Sequence, residues 1–354
     1  MERNLATIRR IKEIKPIEGA DAIELAVVNG WQVVVAKNAG HQVGDLVVYC
    51  EIDSFLPTEP EFEFLRKSSY KKMGDQEGFR LRTIKLRGQV SQGLIIPLKD
   101  AYSLYKRSTP NLDMQWFEGL DVTEMIGIVK YEPPIPAHLA GKVKGSFPSF
   151  LRKTDEERIQ NLEKEYIEWT LSSKHQFYAT EKLDGSSFTC YIKNGEFGVC
   201  SRNMDLLETE DNTFWTVARK LDLENKLRSF GKNICFQGEM VGSGIQGNHY
   251  SMKDQTVFFY NIFLVDEREY VGYDEFRNML FDLDLACVPV LSYPFNFPSD
   301  PETAIPTVSA LLRSSEGKSI LNDKVEREGL VIRSMDRTIS FKAISNKFLL
   351  GSKD

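Results

Sequence analysis

No run of about 18 apolar residues occurs in this chain, so a membrane-crossing helix is not expected. The N-terminus, MERNLATIRRIKEIK, lacks the apolar core of a secretory signal, so export is not expected either. Cysteine is sparse. The five present (Cys50, Cys190, Cys200, Cys235, Cys287) are odd in number, scattered, and form no CxxC. That argues against a disulfide framework and reads as reduced packing thiols in an intracellular, cytoplasmic protein. The four histidines are dispersed as well, so a zinc site is not expected. Nor is there an excess of positive charge: 45 Lys and Arg face 51 Asp and Glu, for a net charge of −6. A surface coated for bulk nucleic-acid binding is therefore excluded, although a local basic face is not. One candidate is RKSSYKKMGDQEGFRLRTIKLRG, residues 66–88, where eight basic residues face only Asp75 and Glu77.

The length of 354 residues and the 42% hydrophobic content imply about two domains. The first part reads as all-β. AIELAVVNGWQVVVAKN has two apolar runs around Asn29-Gly30, a hairpin signal. GDLVVYCEID and RLRTIKLRGQVSQGLIIPL add further strands, and several short strands within about 100 residues suggest a small OB-like barrel. Residues 131–150, YEPPIPAHLAGKVKGSFPSF, carry four prolines, which disfavour helix and central strand. The expected organisation is α+β: an OB-like domain over 1–130, a Pro/Gly-rich linker over 131–150, and a second domain of antiparallel sheets flanked by helices over 151–354. In KTDEERIQNLEKEY, Thr154 and Glu157 read as a capping box opening a helix, with Arg158 and Gln160 within reach of a ligand.

ATEKLDGSSFTCY, residues 179–191, reads as a strand interrupted by Lys182, Asp184 and Gly185. The following SSFTCYIKNGEFGVCSRN turns at Asn194-Gly195, which pairs residues whose numbers sum to 389. Ser187 then faces Arg202, so Ser201–Asn203 emerge at the same end as Lys182. A lysine and an arginine drawn together suggest an anion site. A second hairpin, EGLVIRSMDRTISFKAI, can turn near Met335-Asp336 with pairs summing to 671, placing Gly329 opposite Lys342 and Glu328 beside it.

Six elements in order, EKLDG, SRN, QGEMVG, FFYNIF, EGLVIRS and SFKAIS, resemble the motifs of covalent nucleotidyltransferases, which include ATP-dependent RNA and DNA ligases and mRNA capping enzymes. The candidate OB module precedes the motifs, and none is expected after them. With KLRGQVSQGLIIP, KYEPPIP and FPSFLRKTDEERIQN, the chain is similar to the RNA ligase clade with an N-terminal OB module. The resemblance implies an ATP-grasp-like nucleotidyltransferase domain and an ATP-dependent RNA ligase; a monomer is expected, and the sequence leaves RNA repair and RNA processing both open as its task. It would seal 3′-OH and 5′-phosphate RNA ends, as at nicks in a duplex, through a lysyl-AMP intermediate and with Mg²⁺ or Mn²⁺.

By this resemblance Lys182 is the nucleophile, and Asp184, Arg202, Glu239, Glu328 and Lys342 complete the catalytic set. Asp184, Glu239 and Glu328 would hold the metal through its waters. Glu181, Gly185, Tyr260 and Lys347 join Lys182, Arg202, Glu239 and Lys342 around the nucleotide. A nucleophilic lysine needs a depressed pKa, expected here from Lys342, Arg202 and the metal. Tyr260 is the expected adenine platform, with Phe258 its same-face neighbour and Phe259 and Phe263 in the core. Asp184 and Gly185 are expected to leave room for phosphate and metal, and GSGIQGNHY (242–250), with Gln246 and Asn248, to shape the nucleotide or RNA path. One departure stands out: where many relatives carry a second lysine, this chain has Ile344, for which Lys347 can substitute. The alternatives are a DNA ligase or other covalent nucleotidyltransferase, or a non-catalytic OB nucleic-acid-binding protein.

Overall fold

The computed structural model of the chain describes residues 4–111, 114–132, 142–172 and 174–351. It separates into two units, residues 1–134 and 135–354. Among the described residues, no helix is long and apolar enough to cross a membrane.

In the first unit, strands alternate buried and exposed residues. They begin with β1 (Ala6–Pro16), β2 (Ile23–Val28), β3 (Trp31–Ala36), β4 (Leu46–Cys50) and β5 (Ser54–Pro57). A short helix α1 (Arg66–Ser69) precedes β6 (Tyr70–Met73), β7 (Gln76–Arg80), β8 (Thr83–Leu86), β9 (Gln89–Gln92) and β10 (Leu94–Pro97). Helix α2 (Leu98–Ser108) and β11 (Val129–Lys130) complete it. The turn of the β2–β3 hairpin is Asn29-Gly30, with Asn29 at φ 52°, the left-handed conformation that asparagine tolerates. A bulge between Ile11 and Glu13 bends β1, so its first half pairs with β4 and its second half with β2. One long strand thereby continues a curling sheet of order β10-β4-β1-β2-β3, accompanied by a second sheet, β11-β5-β7-β6. Ile8, Val48, Leu56, Phe62, Phe79 and Ile96 fill the core of this unit. β8 and β9 form a two-stranded ribbon, tied to β3 where Gln89 donates to Gln32 and the Val34 amide to Ser91, with Ile84, Lys85, Leu86 and Arg87 exposed. In the basic segment, Arg66 pairs with Glu63, Lys72 with Glu77 and Arg80 with Asp53, while Arg82, Lys85 and Arg87 point to solvent.

The second unit has two sheets. Part of the expected 131–150 linker lies outside the described residues, and its later part forms β12 (Val143–Ser146). β12 is an edge strand pairing only with β17 (Met204–Leu206), a position that the neighbouring prolines permit. The remaining strands of this seven-stranded sheet are β15 (Ser186–Lys193), β16 (Glu196–Cys200), β18 (Ile234–Val241), β19 (Thr256–Leu264) and β20 (Glu269–Tyr270). The five-stranded sheet runs β13 (Glu157–Arg158), β23 (Ser340–Ile344), β22 (Gly329–Ser334), β14 (Phe177–Lys182), β21 (Val290–Ser292). Helices α4 (Thr213–Lys220), α5 (Leu223–Arg228) and α6 (Tyr273–Asp282) cover the larger sheet. They bury Phe188, Trp215, Leu227, Phe236, Phe259 and Phe276 with it. Helices α3 (Glu163–Leu171) and α7 (Val308–Ser315) pack on the smaller sheet through Tyr166, Leu311, Ile332 and Phe341, and α8 (Asn346–Gly351) follows it. Each such side chain contributes about 1.5–3 kcal/mol by leaving water.

The β15–β16 ladder pairs Thr189 with Cys200 and Lys193 with Glu196, the expected sum of 389. The β22–β23 register differs from expectation: Gly329 faces Ile344, and Lys342 faces Val331. A longer loop replaces the two-residue turn, because Asp336 accepts hydrogen bonds from the Ser334 and Thr338 hydroxyls and the Thr338 amide. The shift is two residues, so Lys342 keeps its face of the sheet. The expected capping box is also absent. Residues 157–158 form β13, and α3 starts only at Glu163, because Thr154 and Glu157 bond elsewhere: Thr154 to Tyr260, and Glu157 to the Arg158 amide and Asn161.

Candidate active site

β14 belongs to the smaller sheet and β15 to the larger, so Leu183–Gly185 crosses between them directly after Lys182. Lys182 pairs with Gly329 across β14 and β22, which brings the preceding residue, Glu328, alongside. Lys182 Nζ lies 2.6 Å from Glu328 Oε1. Glu328 Oε2 is buried with no hydrogen-bond partner among the described residues. On the other side of the crossing, β15 pairs Ser187 with Glu239 of β18, bringing a second glutamate to the same place. The Asp184 amide donates to the Tyr250 hydroxyl at 2.6 Å, which holds the crossing in shape from beneath.

Gly185 is required by packing. A Cβ there would lie 2.4 Å from the Met240 carbonyl oxygen and 2.9 Å from Glu239 Cγ. β18 therefore fills the direction in which a side chain at 185 would grow. Gly329 is similar: a Cβ would sit 2.2 Å from the Ala343 carbonyl oxygen, so glycine lets β22 and β23 close up next to Lys182.

Tyr260 is the extra residue of a bulge in β19, where the register slips between Gln237 and Gly238. Bulges re-aim a side chain. Tyr260 is half-buried like Phe258, whereas Phe259 and Phe263 are buried in the core. The Tyr260 and Thr154 hydroxyls share a hydrogen bond at 2.9 Å, and the Arg333 guanidinium lies 5.3 Å from the tyrosine ring centre. Arg333 is buried and pairs with Glu156 at 2.6 Å. Arg337 donates to Asn261 of β19 and to the Tyr178 hydroxyl of β14, tying the two sheets together.

Lys342 Nζ is 3.1 Å from Asp155 Oδ1, and Arg202 Nη2 is 3.5 Å from Asp155 Oδ2.

An OB-fold domain family matches residues 5–98 and an RNA ligase family matches residues 175–347. A mutant of Naegleria gruberi RNA ligase with AMP and Mn is 39% identical over 98% of each chain, with a TM-score of 0.85. The chain belongs to the RNA ligase family. Two further structures of that ligase agree, both at TM-score 0.85 and 39% identity: one with pyrophosphate, covering 98% of each chain, and a mutant with ATP and Mn, covering 99% of this chain and 100% of the other. No curated protein matches the chain.

The electrostatics of the ligase differ from the expected ones. Burial pushes the Lys182 pKa down, but Glu328, Glu239 and Asp184 push it up by more, so the net shift is upward. Lys342 and Arg202, the cations expected to depress it, each pair with Asp155. Glu239 is pushed up to about 8, first by burial and then by the like charges of Glu328 and Asp184, against the opposing pull of Lys182 and Arg202. Among the described residues, no three His, Cys, Asp or Glu side chains converge closely enough to ligate one ion directly. The bare oxygen of Glu328 and the crowding of three carboxylates nevertheless suit a hydrated divalent ion, whose waters would donate to them.

Other expected site residues stand elsewhere. Glu181 faces away from Lys182, as strand alternation requires, and its Oε2 accepts from the Ile320 amide at 2.8 Å. Lys347 is exposed and pairs with Glu316 at 3.0 Å, and Ile344 is buried opposite Gly329. Arg158 and Gln160 are buried, and both amide atoms of Gln160 have no partner among the described residues. The loop 242–250 supplies Tyr250, while Asn248 bonds locally to Met252. Sequence reasoning missed Tyr250 and the run Thr154-Asp155-Glu156. The signal for that run was its place in FPSFLRKTDEERIQN, one of the segments that carry the family resemblance, together with an acidic pair.

Proposed function

We infer that this ligase seals RNA 3′-OH and 5′-phosphate ends at duplex nicks, with ATP as the energy source and Lys182 as the carrier of AMP. The observation that carries this is the Lys182–Glu328 contact at the crossing between the sheets, within reach of Asp184 and Glu239. The bound ATP, AMP, pyrophosphate and Mn of the N. gruberi structures support it.

In the proposed reaction, Lys182 Nζ in its neutral form attacks the α-phosphorus of ATP. A P–N bond forms, the bond to pyrophosphate breaks, and the amine gives up a proton. A 5′-phosphate oxygen of RNA then attacks the same phosphorus, and lysine leaves, regaining a proton. Finally the 3′-OH attacks the capped 5′-phosphate, the phosphodiester forms, and AMP leaves.

The contact with Glu328 favours the ammonium form of Lys182, which must shed a proton before attack. A divalent ion held by Asp184, Glu239 and Glu328 through water would offset their charge, favour the free amine and withdraw electrons from the α-phosphate. Lys342 and Arg202 suit the developing phosphate charge. Tyr260 offers an aromatic face for adenine.

The experiment is transfer of label from α-labelled ATP, with Mg²⁺ or Mn²⁺, to the protein on a denaturing gel. Label is expected on the wild type and not on Lys182→Met. An unlabelled wild type refutes the covalent mechanism. Nicked duplexes with RNA or DNA at the 3′-OH side then decide the substrate, and equal sealing of an all-DNA nick refutes the RNA preference.

A further inference from the structure

Lys342 lies on β23 of the smaller sheet, and Arg202 emerges from the larger sheet beyond β16. Two cations brought together without an anion repel one another and sample many rotamers. Here one carboxylate separates them: Asp155 Oδ1 takes Lys342 and Oδ2 takes Arg202. The residues on either side act alike. Thr154 holds the Tyr260 hydroxyl of the larger sheet, and Glu156 holds Arg333 of the smaller. With the Ser340 hydroxyl, which donates to Glu156, three consecutive residues thus touch five groups from both sheets. Their backbone is anchored immediately afterwards, where β13 runs parallel to β23 with Arg158 beside Lys342.

We propose that Asp155 is a positioning residue, which orders Lys342 and Arg202 before the nucleotide arrives and passes them to its phosphates. The proposal rests on the reading of those two cations as phosphate-facing. A triphosphate brings several negative charges where Asp155 has one, so the exchange favours the ligand. The cations are already ordered, so less of the binding energy is lost to arranging them. The contacts concern binding of the ground state, so the loss falls on KM more than on kcat.

The test is ATP–pyrophosphate exchange by the full-length protein carrying Asp155→Ala, Asp155→Asn or Asp155→Glu, alongside thermal melts. With Asp155→Ala, half-saturating ATP is expected to rise about tenfold, the cost of ordering two long, rotamer-rich side chains at the moment of binding. The maximal rate should stay within about threefold. Asp155→Glu should restore most of the affinity, and Asp155→Asn should fall between the two, which keeps the test open if the alanine variant does not fold. The proposal is overturned if half-saturating ATP is unchanged or falls, which would make Asp155 a competitor of the phosphates. It is equally overturned if Asp155→Glu is no better than alanine, or if the losses simply follow Tm. Wild-type protein that takes no label from ATP overturns the reading of the site itself, and this inference with it.

Discussion

Lys182 Nζ and Glu328 Oε1 lie 2.6 Å apart although 146 residues separate them in sequence. The contact is half-buried on both sides, and truncation of the glutamate leaves an ammonium in poor solvent. Glu328→Ala is expected to destabilise the metal-free protein by about 2 kcal/mol in urea unfolding, below the range for fully buried pairs because Lys182 keeps some solvent. The same variant should bind Mn²⁺ about 10–100-fold more weakly in a direct titration. A variant with unchanged stability and Mn²⁺ affinity would remove Glu328 from the site.

Glu239 makes stability depend on pH. Its folded pKa of about 8 lies above the ordinary value of 4.5, so the folded state holds this proton more tightly than the unfolded chain does. The contribution is greatest below pH 4.5 and is lost as pH rises from 4.5 to 8. In chelator, Glu239→Gln should therefore gain stability relative to wild type as pH climbs through that window. Parallel stability curves for the two proteins across it would contradict the assignment.

Gly185→Ala is expected to cost about 2 kcal/mol, because the new methyl meets a backbone carbonyl rather than a movable side chain. The Cβ would stand 2.4 Å from the Met240 oxygen, and relief requires β18, with Glu239, to move. Self-adenylylation should fall with stability. Normal melting and normal labelling would show that the two strands do not need this approach.

Charge reversal of Arg82, Lys85 and Arg87 tests the exposed ribbon of the OB unit. RNA joining is expected to weaken more than self-adenylylation, and the salt dependence of RNA binding should flatten by about one unit of slope per lost phosphate contact. Unchanged joining would make this ribbon an ordinary solvated surface.

Much of the site was legible in the chain itself. Asn194-Gly195 specified its hairpin because few residue pairs adopt that turn, so the register could be counted by hand. The second register was misread because Ser334, Asp336 and Thr338 build a loop from side-chain hydrogen bonds, which strand periodicity does not report. The helix expected at Thr154 failed for a related reason. Its polar side chains satisfy Tyr260, Lys342 and Arg333, partners that lie 106, 187 and 177 residues away.

Local chemistry therefore settled the strands, the Asn-Gly turns, the order of the motifs and the family. Those depend on near neighbours and on the identities of single residues. Tertiary structure alone decided that Lys182 meets Glu328, and that Gly185 lies tightly against β18. It also turned Lys342 and Arg202 to a shared aspartate. Charged groups pair with whatever the folded backbone brings within a few ångströms, and that proximity is not written in any one segment.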